Sequence, residues 1–208
     1  MSDIKLNLIN HSNDQNNSEI VFFQKNVAAS FGELSIAWRV VKNLGQGWEH
    51  VFVYPLTFKV SARDGYGNQI TSPLDAENGQ SFSVIKDASG DVLKLDSTPA
   101  GSSKEVDIKN SLPNSSVEAQ IYKDGKLLAS KTSVPPSQKA VFQFLPKLYV
   151  GVASQVVEGQ VIDSAIISTI NTELNLDGIA SADIIMTGGG TGKDATAFEF
   201  HLENIVEA

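Results

Sequence analysis

The sequence contains no cysteine, and this absence excludes several classes of function. Without thiols the chain has no disulfide framework, no cysteine nucleophile and no cysteine-ligated zinc. It also lacks any apolar run of about 18 residues, the length that a transmembrane helix requires. The opening residues, MSDIKLNLIN, show no basic stretch followed by an apolar one, so no secretory signal is expected. We therefore expect a protein that is cytoplasmic or exported without a classical signal peptide.

Charge is scarce as well, since only 19% of the residues are charged. The formal net charge is −8 at pH 7, and an acidic surface repels phosphate backbones, so no nucleic-acid partner is expected. Hydrophobic residues make up 41% of the 208 residues, which is enough to bury a substantial core. The many serine, threonine, asparagine and glycine residues are typical of β structure with polar turns.

The longest regular pattern is an alternation of side-chain types from Val156 to Leu176. A period of two places successive side chains on opposite faces, as in a β-strand. Shorter alternating or apolar segments bounded by turn formers recur along the whole chain. The fold predicted is therefore all-β, an antiparallel β-sandwich with Greek-key connections. The predicted strands, besides those of 156–176, are residues 4–10, 19–25, 49–61, 80–86, 91–95, 104–110, 116–122 and 196–202.

Residues 30–44 fit two kinds of secondary structure. Ser30 and Glu33 have the spacing of a helix capping box, and Gly45 is a suitable helix stop. The same residues also alternate as a strand, with tryptophan, isoleucine and valine that favour β structure. Because the neighbouring segments are β, strand is the preferred interpretation, with helix as the alternative.

Domain organisation is open to two interpretations. One is a single β-sandwich domain of residues 1–208, and the other is two halves, 1–98 and 104–208, that meet at the polar segment TPAGSS. The segment LINHSNDQNNSEIVFFQK near the start resembles IKNSLPNSSVEAQIYK one hundred residues later. Both read as strand, asparagine, polar loop and a strand that ends in lysine. This echo indicates either two related halves or two copies of a common Greek-key corner.

No motif supports catalysis, a metal or a cofactor. The segment from Thr187 to Asp194 resembles a phosphate-binding loop, but it lacks the final Ser/Thr and no helix is predicted after it. The histidines, His11, His50 and His201, lie on separate predicted elements, and no G-x-S-x-G elbow is present. Two oxygen-rich turns could contribute calcium ligands, namely Asp14 with Asn16 and Asn17, and Asp64 with Asn68. Turn formation explains these residues without a metal.

Two aromatic residues are candidates for ligand binding. Trp48 follows Gly47 in a turn and is expected to be exposed, whereas Trp38, Phe52 and Tyr54 occupy strand positions that predict burial. Tyr66 lies in the turn of residues 63–68. Exposed aromatic rings on a β-sandwich can stack on sugars or lie at a membrane interface.

Several segments of the sequence resemble a poorly characterised bacterial family. They are SEIVFFQKN, SIAWRVVKNLGQGWEHVFVYP and DGYGN within residues 18–68, and GIASADIIMTGG at residues 178–189. Some members of that family carry the label aromatic ring-opening dioxygenase. The label implies an iron site of two histidines and one carboxylate, a spacing that this sequence does not show. No functional residue is transferred from the family.

Three functions are compatible with these observations, and none of them is enzymatic. The first is a structural or interaction protein that self-associates, or binds another protein, through the edges of its sheets. The second is a membrane-active, pore-forming protein that inserts the alternating segment 156–176 as a hairpin. The third is a carbohydrate-binding module that uses Trp48.

Overall fold

The computed structural model describes residues 3–14, 18–28, 34–170 and 172–208. These residues form seventeen strands, one α-helix and one short 3-10 helix, so the predicted all-β sandwich fold is confirmed. In chain order the elements are β1 (Ile4–Asn10), β2 (Glu19–Phe23), β3 (Leu34–Ser35), β4 (Arg39–Val41), β5 (Glu49–Tyr54), β6 (Phe58–Arg63), β7 (Leu74–Ala76), β8 (Ser81–Asp87), β9 (Gly90–Leu95), β10 (Val106–Asn110), β11 (Val117–Lys123), β12 (Lys126–Val134), β13 (Lys139–Phe142), β14 (Lys147–Ala153), α1 (Ser164–Thr169), β15 (Thr172–Asn175), β16 (Ile179–Gly189), the 3-10 helix (Gly192–Asp194) and β17 (Thr196–Glu207).

The chain forms two compact units, each assembled from segments that are distant in sequence. Unit 1 consists of Met1–Gln24, Ile36–Leu56 and Pro146–Ala208, and unit 2 consists of Lys25–Ser35 and Thr57–Leu145. The segment 98–104 therefore lies inside unit 2. Whether the chain behaves as one domain of residues 1–208 or as two domains stays a prediction.

Unit 1 contains two four-stranded sheets, with the strand orders β17-β16-β1-β5 and β15-β14-β2-β4. Neighbouring strands are antiparallel except for β1 and β16, which run parallel. Aromatic rings fill the core: Phe22 lies 5.2 Å from Phe52, and Trp38 lies 5.9 Å from Tyr54, between ring centroids. The predicted burial of Trp38, Phe52 and Tyr54 is confirmed.

Unit 2 contains one sheet with the order β13-β10-β8-β9 and one with the order β3-β12-β11-β6-β7. Its neighbouring strands are also antiparallel, apart from the parallel pair of β8 and β10. β11 and β12 form a hairpin, in which Asp124 and Gly125 have φ angles of 53° and 68°. These are the positive values that a type I′ turn requires.

The prediction of one strand over residues 49–61 is wrong, because this segment forms β5 and β6. Pro55 lies between them, and a proline cannot donate a backbone hydrogen bond to a neighbouring strand. The two strands belong to different sheets, β5 beside β1 and β6 between β11 and β7. The chain therefore passes from unit 1 to unit 2 at this point.

The prediction of strands throughout residues 156–176 is also wrong, because the middle of this segment is the helix α1. Asp163 caps the helix by accepting a 2.7 Å hydrogen bond from the backbone N–H of Ala165. Ile162 and Ile170, at either end, pack with Val21 and Phe23 of β2 in one hydrophobic cluster. The segment thus covers one face of β2, and it does not form the hairpin that a membrane-inserting role would use. No described helix has the length and apolarity needed to span a membrane.

Residues 30–44 are described from residue 34 onward, and Ser30 and Glu33 lie outside the described residues. Between residues 34 and 44 the structure contains the short strands β3 and β4 and no helix. The preferred interpretation, strand, is confirmed for this part of the segment.

Candidate interaction surface

Strand β5 is an edge strand of its sheet and carries apolar side chains on the solvent side. It pairs with β1 on one side, and no described strand pairs with its other side. Phe52 and Tyr54 point into the core, whereas Val51 and Val53 are 66% and 38% exposed. An exposed apolar edge strand is a template for pairing with another strand.

The backbone of β5 offers hydrogen-bonding groups at the same positions. Asn10 donates a 3.0 Å hydrogen bond to the carbonyl of Trp48, so the carbonyl of Trp48 faces β1. In an antiparallel pair, successive residues alternate between facing the partner strand and facing away from it. The backbone groups of Val51 and Val53 therefore face the outer edge. One short stretch presents apolar side chains and backbone donors and acceptors together.

Trp48 lies directly before β5 in a turn that the buried Asn10 holds in place. The side-chain amide of Asn10 donates to the carbonyl of Leu44 at 2.6 Å. The backbone carbonyl of Asn10 accepts a hydrogen bond from the N–H of Gly47 at 2.6 Å. Gly47 has a φ of 76°, a conformation that favours glycine. The turn closes with a 3.0 Å bond from the N–H of Trp48 to the carbonyl of Gly45.

The ring of Trp48 is 64% exposed, as the sequence predicted. It lies against Gly45, where an added Cβ atom would be 3.4 Å from the ring. The ring thus rests on a backbone turn, with most of its surface in solvent. Together with Val51 and Val53 it forms what we term the β5 edge, defined as Trp48, Val51, Val53 and the outer backbone of β5.

Tyr66, the second predicted ligand-binding residue, belongs to unit 2 and is 94% exposed. Its turn is organised by Asp64, whose carboxylate accepts hydrogen bonds from the N–H groups of Tyr66 and Asn68 and from the Asn68 side chain. These bonds, the side-chain one foremost, lower the pKa of Asp64. The carboxylate oxygens are therefore used within the turn.

The other predicted candidates do not converge on a site. Asp14 accepts hydrogen bonds from Ser18, while Asn16 and Asn17 lie outside the described residues. His50 lies beside Phe52, with ring centroids 6.2 Å apart, and His201 bonds Glu203 at 3.0 Å. In the described part of the chain, no three histidine or acidic side chains are grouped so as to hold a metal ion.

The glycine run of residues 188–192 connects the end of β16 to a single 3-10 turn and then to β17. Gly188, Gly189 and Gly190 all have positive φ angles. No α-helix follows the run, so the helix N-terminus that a phosphate-binding loop needs is missing here. The run is a connection between strands.

Sequence reasoning identified Trp48 but missed Val51 and Val53. The alternation of the strand indicates the exposure of Val51 and Val53. Because the even-numbered residues Phe52 and Tyr54 are predicted to be core, the odd-numbered residues of β5 face solvent. What the sequence did not show is that β5 is an edge strand, since strand order depends on contacts between distant segments.

Comparison with known proteins places most of the chain in a family. A family model described as RhiA matches residues 2–190. No curated protein and no solved structure matches the chain. The match does not link the chain to aromatic ring-opening dioxygenases, so that label finds no support.

Proposed function

The chain belongs to the RhiA family, and we propose that it is a non-enzymatic interaction protein that self-associates through the β5 edge. The observation that supports this function is the coincidence, on one edge strand, of outward backbone groups with the exposed side chains of Val51 and Val53. A second copy of the same strand is a partner that satisfies both features.

Two β5 strands can pair antiparallel about a two-fold axis at Val51. Residues that face the outer edge then meet each other, with Glu49 of one copy opposite Val53 of the other. Lys5 of β1 is the direct neighbour of Val53 within the sheet. The pairing thus brings an acidic side chain of one copy toward a basic side chain of the other, at both ends of the interface.

This contact is small, so the association is expected to be reversible. β5 has only six residues, and edge pairing adds a few backbone hydrogen bonds at about 1 kcal/mol each. The net charge of −8 opposes the approach of two copies. Moderate salt screens that repulsion and should therefore strengthen the association.

Substitution of Val51 by lysine tests the proposal. The lysine places a charge at the centre of the interface, where two copies would bring two such charges together. We expect size-exclusion chromatography with light scattering to show an oligomer that dissociates on dilution for the natural protein. Val51→Lys should lose this concentration-dependent association, with unchanged far-UV circular dichroism.

Val206→Lys is the matched control, because Val206 is an exposed valine on β17 at the opposite edge of the same sheet. It should leave the oligomer intact. A monomeric natural protein at all concentrations, or a concentration-dependent association that is equally strong in Val51→Lys, would contradict the proposal.

Glycan binding is a second candidate function, and the exposed ring of Trp48 favours it. The chain has two tryptophans, and the other one, Trp38, is buried. Sugar stacking should therefore quench mainly the fluorescence of Trp48. Quenching by oligosaccharides that disappears in Trp48→Phe would support this function, and an unchanged spectrum would exclude it for the sugars tested.

A further inference from the structure

The two units share one strand arrangement. The sheet β17-β16-β1-β5 of unit 1 corresponds to β9-β8-β10-β13 of unit 2, and β15-β14-β2-β4 corresponds to β7-β6-β11-β12. Each neighbouring pair has the same direction in both units, including the single parallel pair, β1–β16 in one and β10–β8 in the other. β3 is an addition at the edge of the second sheet of unit 2.

The correspondence extends to individual hydrogen bonds around Asn10 and Asn110, which end β1 and β10. Both asparagines are buried, and the side-chain oxygen of each accepts from the N–H two residues later, on Ser12 at 2.8 Å and on Leu112 at 3.1 Å. The side-chain amides donate to equivalent carbonyls, Leu44 after β4 and Val134 at the end of β12.

The turn that leads into the next strand is also the same in both units. Asn10 donates to the carbonyl of Trp48 at 3.0 Å, and Asn110 donates to that of Gln138 at 2.9 Å. The third turn residue, Gly47 or Ser137, has a positive φ in both turns and donates to the asparagine carbonyl at 2.6 and 2.8 Å. A shared strand order can arise by convergence, but a shared set of bonds around one buried side chain is a much more specific likeness.

The order of the corresponding strands along the chain reveals their origin. β1, β2, β4 and β5 correspond to β10–β13, while β6–β9 correspond to β14–β17. The chain is thus two consecutive copies of the same eight-strand series, β1–β9 and β10–β17, with β3 extra in the first. We infer that the chain is a tandem duplication whose two copies have exchanged halves, and that the half formed by residues 146–208 can be exchanged in the same way with a second copy of this chain.

The exchange is visible in the composition of the units. A copy that closed on itself would pair β1 with β8 and β10 with β16, whereas β1 pairs with β16 and β10 with β8. In unit 1, strands of Met1–Gln24 and Ile36–Leu56 therefore pair with strands of Pro146–Ala208. Residues 146–208 of a second chain can supply the same pairings with the same residues. This inference deepens the proposed self-association by naming a second route to the same partner, and it does not use the β5 edge.

The junction that would open is Leu145–Pro146. On its unit 2 side, Gln143 is fixed by bonds from its N–H to the Asn26 side chain and from the N–H of Val27 to its carbonyl, both 2.8 Å. On the other side, β14 begins at Lys147. Proline keeps its own φ fixed and holds the preceding residue extended, so this short junction resists a compact turn. Short, stiff junctions favour exchange between chains.

Single-cysteine variants of the full chain test the exchange, because the natural chain contains no cysteine. Glu19 on β2 and Ala153 on β14 are directly opposite each other in unit 1. The variants Glu19→Cys and Ala153→Cys are co-expressed with different affinity tags, purified for both tags and treated with a short bismaleimide. We expect a covalent dimer that contains one chain of each kind and runs at the mass of two chains.

Two controls make the result decisive. The double variant Glu19→Cys/Ala153→Cys must cross-link within one chain, which verifies the geometry. The co-expressed pair Lys5→Cys and Val53→Cys joins β1 to β5, which stay together in the exchange, so it should give no mixed dimer beyond background. Absence of the Glu19–Ala153 mixed dimer while the double variant cross-links would overturn the inference.

The same experiment in the Val51→Lys background separates the two routes. A mixed dimer that persists in Val51→Lys arises from exchange of residues 146–208, even if the β5 edge does not associate. Loss of the mixed dimer in this variant would overturn the exchange. Insertion of a flexible Gly-Ser segment after Leu145 should reduce the mixed dimer, because a longer junction lets the half fold back onto its own chain.

Discussion

The side-chain amide of Gln24 donates a 2.8 Å hydrogen bond to the hydroxyl of Tyr54 and another of 2.8 Å to the carbonyl of Lys147. Both side chains are buried, so the pair links the chain after β2 to the end of β5 and the start of β14. Tyr54→Phe removes the hydroxyl and should lower the free energy of unfolding by about 1 kcal/mol. Urea unfolding followed by circular dichroism measures the change. Tyr66→Phe alters an exposed ring and should have no effect, so an equal loss in both variants would contradict this account.

Ionisation of Tyr54 should also lower the folding stability at high pH. Burial raises the pKa of Tyr54 to about 12 from an ordinary value of 10.0, against the opposing effect of the Gln24 hydrogen bond. Because the folded-state pKa is the higher one, this contribution to stability is fully present below pH 10 and is lost as the pH rises toward 12. Tyr54→Phe should flatten the decline of the unfolding free energy between these values. An unchanged alkaline decline would contradict the assignment to Tyr54.

Glu19 should cause a loss of folding stability at low pH. A hydrogen bond from Lys42, whose ammonium lies 2.7 Å away, lowers the pKa of Glu19 below its ordinary 4.5. The stability that this carboxylate contributes is therefore present above pH 4.5 and is lost as the pH falls through the lower folded-state value. Glu19→Gln should flatten the acid limb of the stability curve. An acid limb that is equally steep in Glu19→Gln and in the natural protein would contradict this account.

Two glycines with similar backbone angles should differ in their tolerance of a methyl group. Gly47 and Gly188 have φ values of 76° and 83°, but only at Gly188 would a Cβ atom meet the backbone, 2.0 Å from the carbonyl oxygen of Ala197. Gly47→Ala should cost about 1 kcal/mol from the left-handed conformation alone. Gly188→Ala adds overpacking of roughly 1–3 kcal/mol more. Thermal unfolding of the two variants side by side tests the difference, and equal melting temperatures would refute it.

Asn10 and Asn110 should be equally important to their units. Each alanine variant removes a buried side chain that satisfies backbone groups on two segments, so each should cost about 2–4 kcal/mol. Ser168→Ala removes one exposed bond to the carbonyl of Ala165 and should cost well under 1 kcal/mol. Hydrogen exchange resolved by peptide would show whether Asn10→Ala loosens unit 1 and Asn110→Ala loosens unit 2. Loosening of the same segments by both variants would contradict two equivalent sites.

Local sequence signals predicted most strands, but they failed where two patterns overlap. The residues of α1 alternate as a strand does, yet Ile162, Ile166, Ile167 and Ile170 also suit one side of a helix, and the Asp163 cap decides between the two. Pro55 marked an interruption in residues 49–61, but not the change of sheet that occurs there. The pairing of β1 with β16 could not be predicted, because the corresponding strand β8 occupies the same position beside β10. Related segments offer equivalent partners, and only the complete set of contacts selects between them.

The placement of both chain ends in unit 1 has a mechanical consequence. Unit 2 lies between residues that belong to unit 1, since the chain leaves unit 1 before Thr57 and returns to it at Pro146. When the protein is stretched from residues 3 and 208, tension first acts across the contacts of β17 with β16 and of β16 with β1. Unit 2 carries no load until those contacts rupture. A force-extension experiment on the intact chain should therefore record the extension of unit 1 before that of unit 2, whichever of the two is the more stable in solution.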